Sequence, residues 1–353
     1  MNNNKFYIDK RLITNQTKPF LIAEVAQAHG GNIKKVFKFI DEVSKHKIDA
    51  IKFQTHISEF ESTYDEPFRK KLKGFKSRYD YWKSMEFKKD EWVKIKRYCK
   101  KKKIIFLSSV FSIASIKLLS DIGLKTWKIG SGECNSFDLL EHLKKKCSKD
   151  SVIISTGLMN NKRIDEIYKF FNKKNPLCIM HCVSKYPSKF NELGFNNIDE
   201  LNNKYNCLIG YSDHSGSIYS ILYALSKSIP IIEFHVKIDE NDKNLDKTSS
   251  VKIRDLGLIT KANDIFFKIK SSKINKKILS REQSLMLKIF GKSLCFKNDM
   301  HKGQIVKKEH LTLKKPGTGI NYKYMYKLIG KKISRNVTNK RLIKYQDLIW
   351  KKK

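Results

Sequence analysis

The sequence predicts an α/β protein: a (β/α)8 TIM barrel followed by a small β-rich domain. Three observations carry that prediction. Eight short apolar runs recur across about 250 residues, beginning at Phe20. Helix-length amphipathic segments stand between most of them, and the alternation stops near residue 272. Each run is close to continuously apolar, the pattern of a parallel strand covered on both faces.

The elements follow in order. The first 18 residues are polar and predict a short hairpin or cover. The strand runs are FLIAEVA (20–26), DAIKFQT (49–55), IIFLSS (104–109), TWKIGSG (126–132), SVIISTG (151–157), PLCIMHCVS (176–184), CLIGYSD (207–213) and PIIEFHV (230–236). Segments such as NIKKVFKFIDEVSKH and GSIYSILYALSKS carry the helical spacing between them. A doubly wound open sheet is the alternative. It would carry a glycine-rich phosphate loop after its first strand, and AQAHGGN is a poor version of one. The segment 57–87 is too long for one helix and mixes aromatic with charged residues; it reads as an inserted βα loop over the barrel mouth, either a lid or a packed excursion. The expected domains are a barrel over 1–272, a linker over 273–284 and a β-rich domain over 285–353, with turn signals at KNDMHKG and KPGTG.

Composition narrows the classes. A chain of 353 residues with 40% hydrophobic content builds a real core, and only 6 Pro and 16 Gly argue against a disordered or fibrous chain. The start, MNNNKFYIDKRL, has no apolar signal core, and no run approaches a membrane span, so the expectation is a soluble, cytoplasmic protein with no membrane partner. Seven scattered Cys with no CxxC read as reduced thiols. Cys178 and Cys182, with His181 between them, read as core-strand thiols, a metal cluster being the competing reading. The formal charge of +38 raises nucleic acid as a partner, but 64 of the 73 basic residues are Lys, spread end to end. Nucleic-acid readers favour Arg forks and aromatic platforms, so no nucleic-acid partner is expected.

In a barrel, chemistry gathers at the carboxyl ends of the strands. The first run carries Glu24, then Gln27 and His29; the second Lys52 and Gln54; the third Ser108, Ser109 and Ser112; the fourth Lys128, Ser131 and Glu133. The fifth carries Ser155 and Thr156; the sixth His181, Ser184 and Tyr186; the seventh Ser212, Asp213 and His214; the eighth Glu233 and His235. Polar groups inside apolar strands are costly to bury without a purpose. Lysines with hydroxyls around a cavity suit a phosphate or carboxylate. His214 and His235 end neighbouring strands and could share a divalent ion, or could be hydrogen-bonded histidines. Glu24 and Glu233 are candidates for acid–base work or for orienting a metal-bound water, against buried ion pairing with the lysines.

The segments FLIAEVAQAHGGN, DAIKFQT, FLSSVFS, WKIGSGECNSFDLL, IISTGLM, GYSDHSGS and IIEFHV together resemble the sialic acid (N-acetylneuraminate) synthase family in order and spacing. The tail KGQIVKKEHLTLKKPGTGI…IGKKI resembles that family's antifreeze-like (SAF) domain. The resemblance covers about residues 20–350. It implies condensation of phosphoenolpyruvate with an open-chain N-acylated amino sugar of the N-acetylmannosamine type, giving a nine-carbon 2-keto acid and phosphate. Pseudaminic- or legionaminic-type synthases share the reaction class, and a Schiff-base aldolase on the same barrel, with Lys52 or Lys128 as nucleophile, is the other reading.

The resemblance also implies a divalent metal, usually Mn2+ with Mg2+ or Co2+ as alternatives, on His214 and His235. It places phosphoenolpyruvate contacts on Lys52, Ser109, Lys128, Ser131, Ser155, Ser184 and Ser212, and sugar contacts on Glu24, Gln54, Glu133, Tyr186 and Asp246. Glu233 would hold the hydrolytic water. It further implies a domain-exchanged homodimer in which a basic residue before PGTGI reaches the sugar. That residue is Lys315 here, where the family usually has Arg, and Lys cannot make the two-pronged contact. Other departures are Ser184 for Asn, Val110 for Pro, and NLDKTSS (244–250) for the family's PGPD stretch.

Overall fold

A computed structural model describes residues 5–68, 74–171, 174–238 and 245–350. The chain divides into two compact units, Met1–Ser271 and Ser272–Lys353. The first unit is the barrel. Its strands are β3 (Phe20–Ala26), β4 (Ala50–Thr55), β5 (Ile105–Val110), β6 (Thr126–Ile129), β7 (Ser151–Ser155), β8 (Leu177–Cys182), β9 (Leu208–Asp213) and β10 (Ile231–Lys237). All are parallel in sequence order, and β10 pairs with both β9 and β3, which closes the ring. The earlier strands β1 (Phe6–Ile8) and β2 (Arg11–Ile13) form the expected hairpin. A short strand that the sequence reading did not foresee, β11 (Ser250–Lys252), adds parallel to the end of β10.

The two-residue period of a strand decides which side chains enter the barrel. Phe20 and Ile22, Ala50, Leu107, Ile153, Cys178, Met180 and Ile231 fill the interior. Leu21, Ala23, Ile51, Phe53, Val152, Ile154, Ile179, Ile209, Ile232 and Phe234 point outward into the helical layer. Phe6, Ile8 and Ile13 of the hairpin join the interior cluster, so β1 and β2 stopper the amino-terminal end. Arg11 pairs with Asp49, at the foot of β4, and Tyr7 N–H donates to Ser151 Oγ, at the foot of β7. With that end filled, the carboxyl end is where the barrel opens.

Helices α1 (Ile33–Ser44), α2 (Arg78–Met85), α3 (Lys89–Lys101), α4 (Ile113–Asp121), α5 (Phe137–Lys146), α6 (Asn161–Phe171), α7 (Asn196–Lys204), α8 (Ile218–Ser226) and α9 (Leu256–Ser271) belong to this unit. In α1, Asn32 caps the helix by accepting from Lys34 N–H, and Val36, Phe39, Ile40 and Val43 form one buried stripe at helical spacing. Within the insert 57–87, residues 69–73 lie outside the described part; a 3-10 turn (Ser58–Phe60) and α2 lie within it. Gly31, at φ +71°, sits where a Cβ would strike the carbonyl of Ser84, so its missing side chain lets α2 approach the loop after β3.

Two boundaries differ from the sequence reading. The run TWKIGSG is a strand only to Ile129, because Ser131–Asn135 turns as a 3-10 helix with Glu133 N–H donating to Gly130 O. Helix α9 runs on to Ser271, up to the segment 273–284 expected as linker. Helix α10 (Arg281–Phe290) begins inside the segment expected as linker, capped by Ser280 Oγ, which accepts from Gln283 N–H.

The second unit holds the small antiparallel sheet expected of a β-rich C-terminal domain. Strands β12 (Ser293–Phe296) and β13 (Leu311–Lys314) pair, and isolated bridges such as Met300–Val337 and Ile333–Leu348 extend the meander. Leu294, Phe296, Val306, Leu328, Ile333 and Leu348 form its core. Asp347 is fully buried and takes both prongs of Arg341 at 2.7 and 2.9 Å. Among the described residues, no helix is long and apolar enough to cross a membrane.

Candidate active site

The open end of the barrel holds a cavity of about 470 Å³. Of the residues to which the family resemblance gives a catalytic, substrate-binding or metal role, all but Lys315 line it. Lys315 belongs to the smaller unit, where its ammonium lies over the Phe290 ring.

Strand parity explains the convergence. Lys52 and Gln54 are two apart on β4, Ser212 and His214 two apart at the end of β9, and Glu233 and His235 two apart on β10, so each pair faces inward together. The intervening polar residues turn outward. Asp213 accepts from Tyr211 OH at 2.8 Å and from Ser215 N–H at 3.1 Å. His181 sits 2.7 Å from Leu193 O through Nε2, and Ser108 Oγ pairs with Thr55 Oγ1 at 2.7 Å. Ser112 caps α4, and His29 packs against Phe53 and Phe87. The expectation that every strand-end polar group serves one cavity is therefore corrected: His29, Ser108, Ser112, Thr156, His181 and Asp213 do not line it. Cys178 is inside the barrel and His181 outside it, so the two cannot share an ion; no cluster of three or more His, Cys, Asp or Glu able to hold a metal occurs among the described residues.

At the cavity floor four buried charges alternate in sign. Lys52 Nζ lies 2.6 Å from Glu24 Oε2 and 3.5 Å from Glu233 Oε1. Lys128 Nζ donates to Glu233 Oε1 at 2.8 Å. Lys52 also donates to Ser109 Oγ at 2.8 Å, and Ser212 Oγ donates to Glu233 Oε1 at 3.3 Å. Ring closure makes this cluster possible, because β3 and β10 are neighbours although Glu24 and Glu233 are far apart in sequence. Glu24 stands opposite Lys52 in the regular β3–β4 register, which shifts only beyond it, between Glu24 and Ala26, where Ala26 has φ +48°.

The two carboxyls are tuned apart. Burial pushes Glu24 up to about 7 against the pull of Lys52, with the charge of Glu233 adding to the rise. Burial opposes ionisation of Glu233 too, but Lys128 and Lys52 outweigh it and hold that carboxyl down at about 2. Lys52 is desolvated as well, yet Glu233 and Glu24 hold its ammonium above the ordinary lysine range.

A second group is made of hydroxyls. Ser131 Oγ accepts from Gly157 N–H at 3.0 Å and lies 3.4 Å from Cys182 Sγ. Ser184 Oγ is buried with no hydrogen-bond partner among the described residues. Gly157 makes the cradle possible: a Cβ there would strike Ser184 Oγ and stand 2.9 Å from Cys182 Sγ and 3.1 Å from Ser131 Oγ.

The two imidazoles meet on the β9–β10 side, ring centroids 5.5 Å apart. His214 Nδ1 donates to Val183 O at 2.7 Å, which leaves Nε2 toward the cavity, where Tyr186 OH lies 3.3 Å away. His235 Nδ1 is 3.9 Å from Asp246 Oδ2. Burial, with His235 beside it, pushes His214 down to about 4, and burial lowers His235 as well. Both rings are therefore neutral at neutral pH, the form in which a ring nitrogen ligates a metal. Two neutral imidazoles, one backed by a carbonyl and one with a carboxylate 3.9 Å away, are a donor pair that would suit a divalent ion.

The cavity also has walls that the sequence reading did not name. His56, Glu61, Glu66, Arg78 and Trp82, together with Phe111, form the side nearest the insert. The length and aromatic content of the segment flagged it, but contacts between separate loops leave no periodic trace in a sequence.

Comparison with known proteins gives the chain its relatives. A chain 28% identical over 335 residues, covering 93% of this chain and 99% of its own length, is N,N'-diacetyllegionaminic acid synthase of Campylobacter jejuni. Human N-acetylneuraminate-9-phosphate synthase is 26% identical over 330 residues, 92% of this chain and 90% of its own. The crystal structure of N-acetylneuraminic acid synthetase from Leptospira borgpetersenii, in complex with citrate, superposes with a TM-score of 0.69 at 28% identity, covering 80% of this chain and 95% of that one. The sequence model described as the NeuB family matches residues 39–275, and the chain belongs to that family.

Proposed function

We propose that the protein condenses phosphoenolpyruvate with an N-acylated amino sugar of the N-acetylmannosamine type, giving a nine-carbon 2-keto sugar acid and phosphate. At the level of the family, a phosphoenolpyruvate-dependent nonulosonate synthase reaction is what the relatives support. The observation that carries the reading is one cavity lined by Lys52, Lys128 and the serine hydroxyls together with His214 and His235.

The division of labour follows from chemistry. Phosphoenolpyruvate brings a phosphate and a carboxylate. Lys128, Lys52 and the hydroxyls of Ser109, Ser131, Ser155, Ser184 and Ser212 supply cationic and neutral donors for them. Binding of those anions lets the lysines exchange a glutamate partner for a substrate oxygen. The sugar aldehyde then lies toward Glu24, Gln54, Glu133, Tyr186 and Asp246. When bound to His214 and His235, a divalent ion, with Mn2+ the leading candidate, supplies Lewis-acid polarisation of the aldehyde. The enol carbon of phosphoenolpyruvate forms the new bond to the aldehyde carbon. Water adds to the carbon bearing phosphate, and the C–O bond to phosphate breaks. Glu233, ionised and with Oε2 buried and without a hydrogen-bond partner among the described residues, takes the proton of that water. Glu24, with its carboxyl near 7, exchanges a proton with the sugar oxygen.

Schiff-base chemistry by Lys52 is disfavoured, because its ion pairs hold it as ammonium. Lys315 and the homodimer remain part of this proposal on the strength of the family resemblance. The experiment is a phosphate-release assay with phosphoenolpyruvate across a panel of hexosamines, with mass spectrometry of the product. A nine-carbon keto acid with one phosphate released per product is expected. Release with no hexosamine, or a pyruvate adduct trapped by borohydride, overturns the reading.

A further inference from the structure

We propose that His56 is a positioning residue: it seats the inserted segment on the barrel rim and, through Gln54, holds Glu24 in the orientation the amino sugar meets. The inference rests on the reading above for the identity of the substrate, and on geometry for the rest.

His56 follows the end of β4, four residues beyond Lys52, and is buried. Its ring lies between two aromatic faces. Trp82, on α2, stacks at 4.2 Å and 18°, and Phe111, after β5, at 4.4 Å and 15°. The guanidinium of Arg78 lies over the Trp82 ring at 5.1 Å. The result is a four-layer stack, Phe111–His56–Trp82–Arg78, assembled from three separate pieces of chain, the insert contributing the last two layers. Stacked neighbours of this kind contribute beyond their buried area. Trp82 and Arg78 are fixed in turn by one carboxylate, since Glu66 accepts from Trp82 Nε1 at 2.9 Å and pairs with Arg78 at 3.1 Å.

The edge of the same imidazole is wired to the reacting centre. Nδ1 lies 2.6 Å from Glu61 Oε1, and Glu61 Oε2 accepts from Ile57 N–H at 3.3 Å. Nε2 lies 3.2 Å from the Gln27 amide nitrogen, which also donates to Gln54 Oε1. Gln54 Nε2 then donates to Glu24 Oε1 at 3.1 Å. A run of hydrogen bonds thus leads from Glu61 on the insert to the carboxyl at the cavity floor, with His56 at the junction and its Nε2 also 3.2 Å from Gln54 Oε1. Its faces hold the insert, and its edge sets which way the Gln54 amide points. An amide flipped at Gln54 would turn a carbonyl oxygen toward Glu24 and lose the donor.

Three variants of the full chain separate these roles. His56→Phe keeps the stack and removes the edge. Trp82→Leu removes the stack and keeps the edge. His56→Ala removes both. For His56→Phe, KM for the amino sugar should rise about tenfold, the loss expected of a hydrogen bond to a charged group, while KM for phosphoenolpyruvate stays within about twofold. Amide exchange over residues 58–68 and 74–86 should stay slow in His56→Phe and quicken about tenfold or more in Trp82→Leu and His56→Ala. A rise in both KM values by the same factor, or unchanged sugar KM in His56→Phe, overturns the positioning role. Unchanged exchange in Trp82→Leu and His56→Ala overturns the clamp. Should the wild-type chain release no phosphate with any hexosamine, the substrate reading is what has failed, and the exchange measurements still decide the clamp.

Discussion

Lys128 Nζ stands 2.8 Å from Glu233 Oε1 inside the barrel, while the other oxygen of that carboxylate is buried with no hydrogen-bond partner among the described residues. Glu233 thus neutralises one side of a cationic floor and keeps an acceptor for something not made of protein. Taking Glu233 away removes the carboxylate that Lys128 bonds in a buried site, while Lys52 keeps Glu24.

Glu233→Ala should therefore destabilise the barrel by about 3–5 kcal/mol, because two buried ammoniums lose their shared anion. Replacing Lys128 and Glu233 together by Met and Leu should restore most of that loss, since an apolar pair carries no desolvation cost. Urea midpoints of the singles and the double decide it. A Glu233→Ala variant within about 1 kcal/mol of wild type would show that the floor is solvated.

Glu24 gives the pH profile its sign. Its carboxyl titrates near 7 in the fold and near 4.5 in an open chain, so between those values the folded state holds a proton that the unfolded state has lost. The stability Glu24 contributes is complete below 4.5 and disappears as pH rises through 7. Glu233 acts oppositely: its contribution is present above 4.5 and is lost as pH falls toward 2. Glu24→Gln should flatten the decline between pH 5 and 7 and leave the acid limb in place. Equal slopes for variant and wild type over pH 5–7 would contradict the raised carboxyl.

Much of this was legible from the chain alone, for physical reasons. A parallel strand buried on both faces writes itself as a continuous apolar run, so all eight barrel strands stand out, Phe20–Ala26 to Ile231–Lys237. Polar residues ending such runs mark the open mouth, which is how Lys52, Lys128, His214 and His235 are found. Which of two adjacent polar residues faces inward was also readable from parity: Ser212 and His214 share it, and Asp213 does not. The alternation Glu24–Lys52–Glu233–Lys128 was not readable as a connected chain, because it depends on the closure of β10 onto β3. His56, Glu61 and Trp82 escaped for a related reason: their contacts join separate loops at irregular spacing.

Removal of the imidazoles tests the metal without recourse to turnover. His214→Ala and His235→Ala should each weaken Mn2+ binding in calorimetry more than about 100-fold, whereas Tyr186→Phe, which loses only a hydroxyl 3.3 Å from His214 Nε2, should weaken it by about tenfold or less. Chelator should remove phosphate release from the wild type and added Mn2+ should restore it. Retention of tight binding by both alanine variants would place the ion elsewhere.

Gly157→Ala adds one methyl where Ser184 Oγ, Cys182 Sγ and Ser131 Oγ converge. The backbone tolerates it, so the cost to stability should stay within the about 1–3 kcal/mol of local overpacking. The hydroxyls must separate, and the cradle for an anion must open. KM for phosphoenolpyruvate should rise at least about tenfold with little change for the sugar, and a rise confined to the sugar would reverse the two halves of the cavity.

Ser184→Ala separates a group kept for the protein from one kept for a ligand. Its hydroxyl is buried and makes no hydrogen bond among the described residues, so the folded chain carries an uncompensated desolvation that alanine would relieve. Melting temperature should hold or rise slightly. The same hydroxyl is placed to donate to a substrate oxygen, and a donor to a charged acceptor contributes about 1.5–3 kcal/mol, so KM for phosphoenolpyruvate should rise by about tenfold or more. A structural serine behaves the other way, losing stability and sparing KM. That outcome would remove Ser184 from the anion cradle and leave Lys52 and Lys128 to hold the donor with the remaining serines.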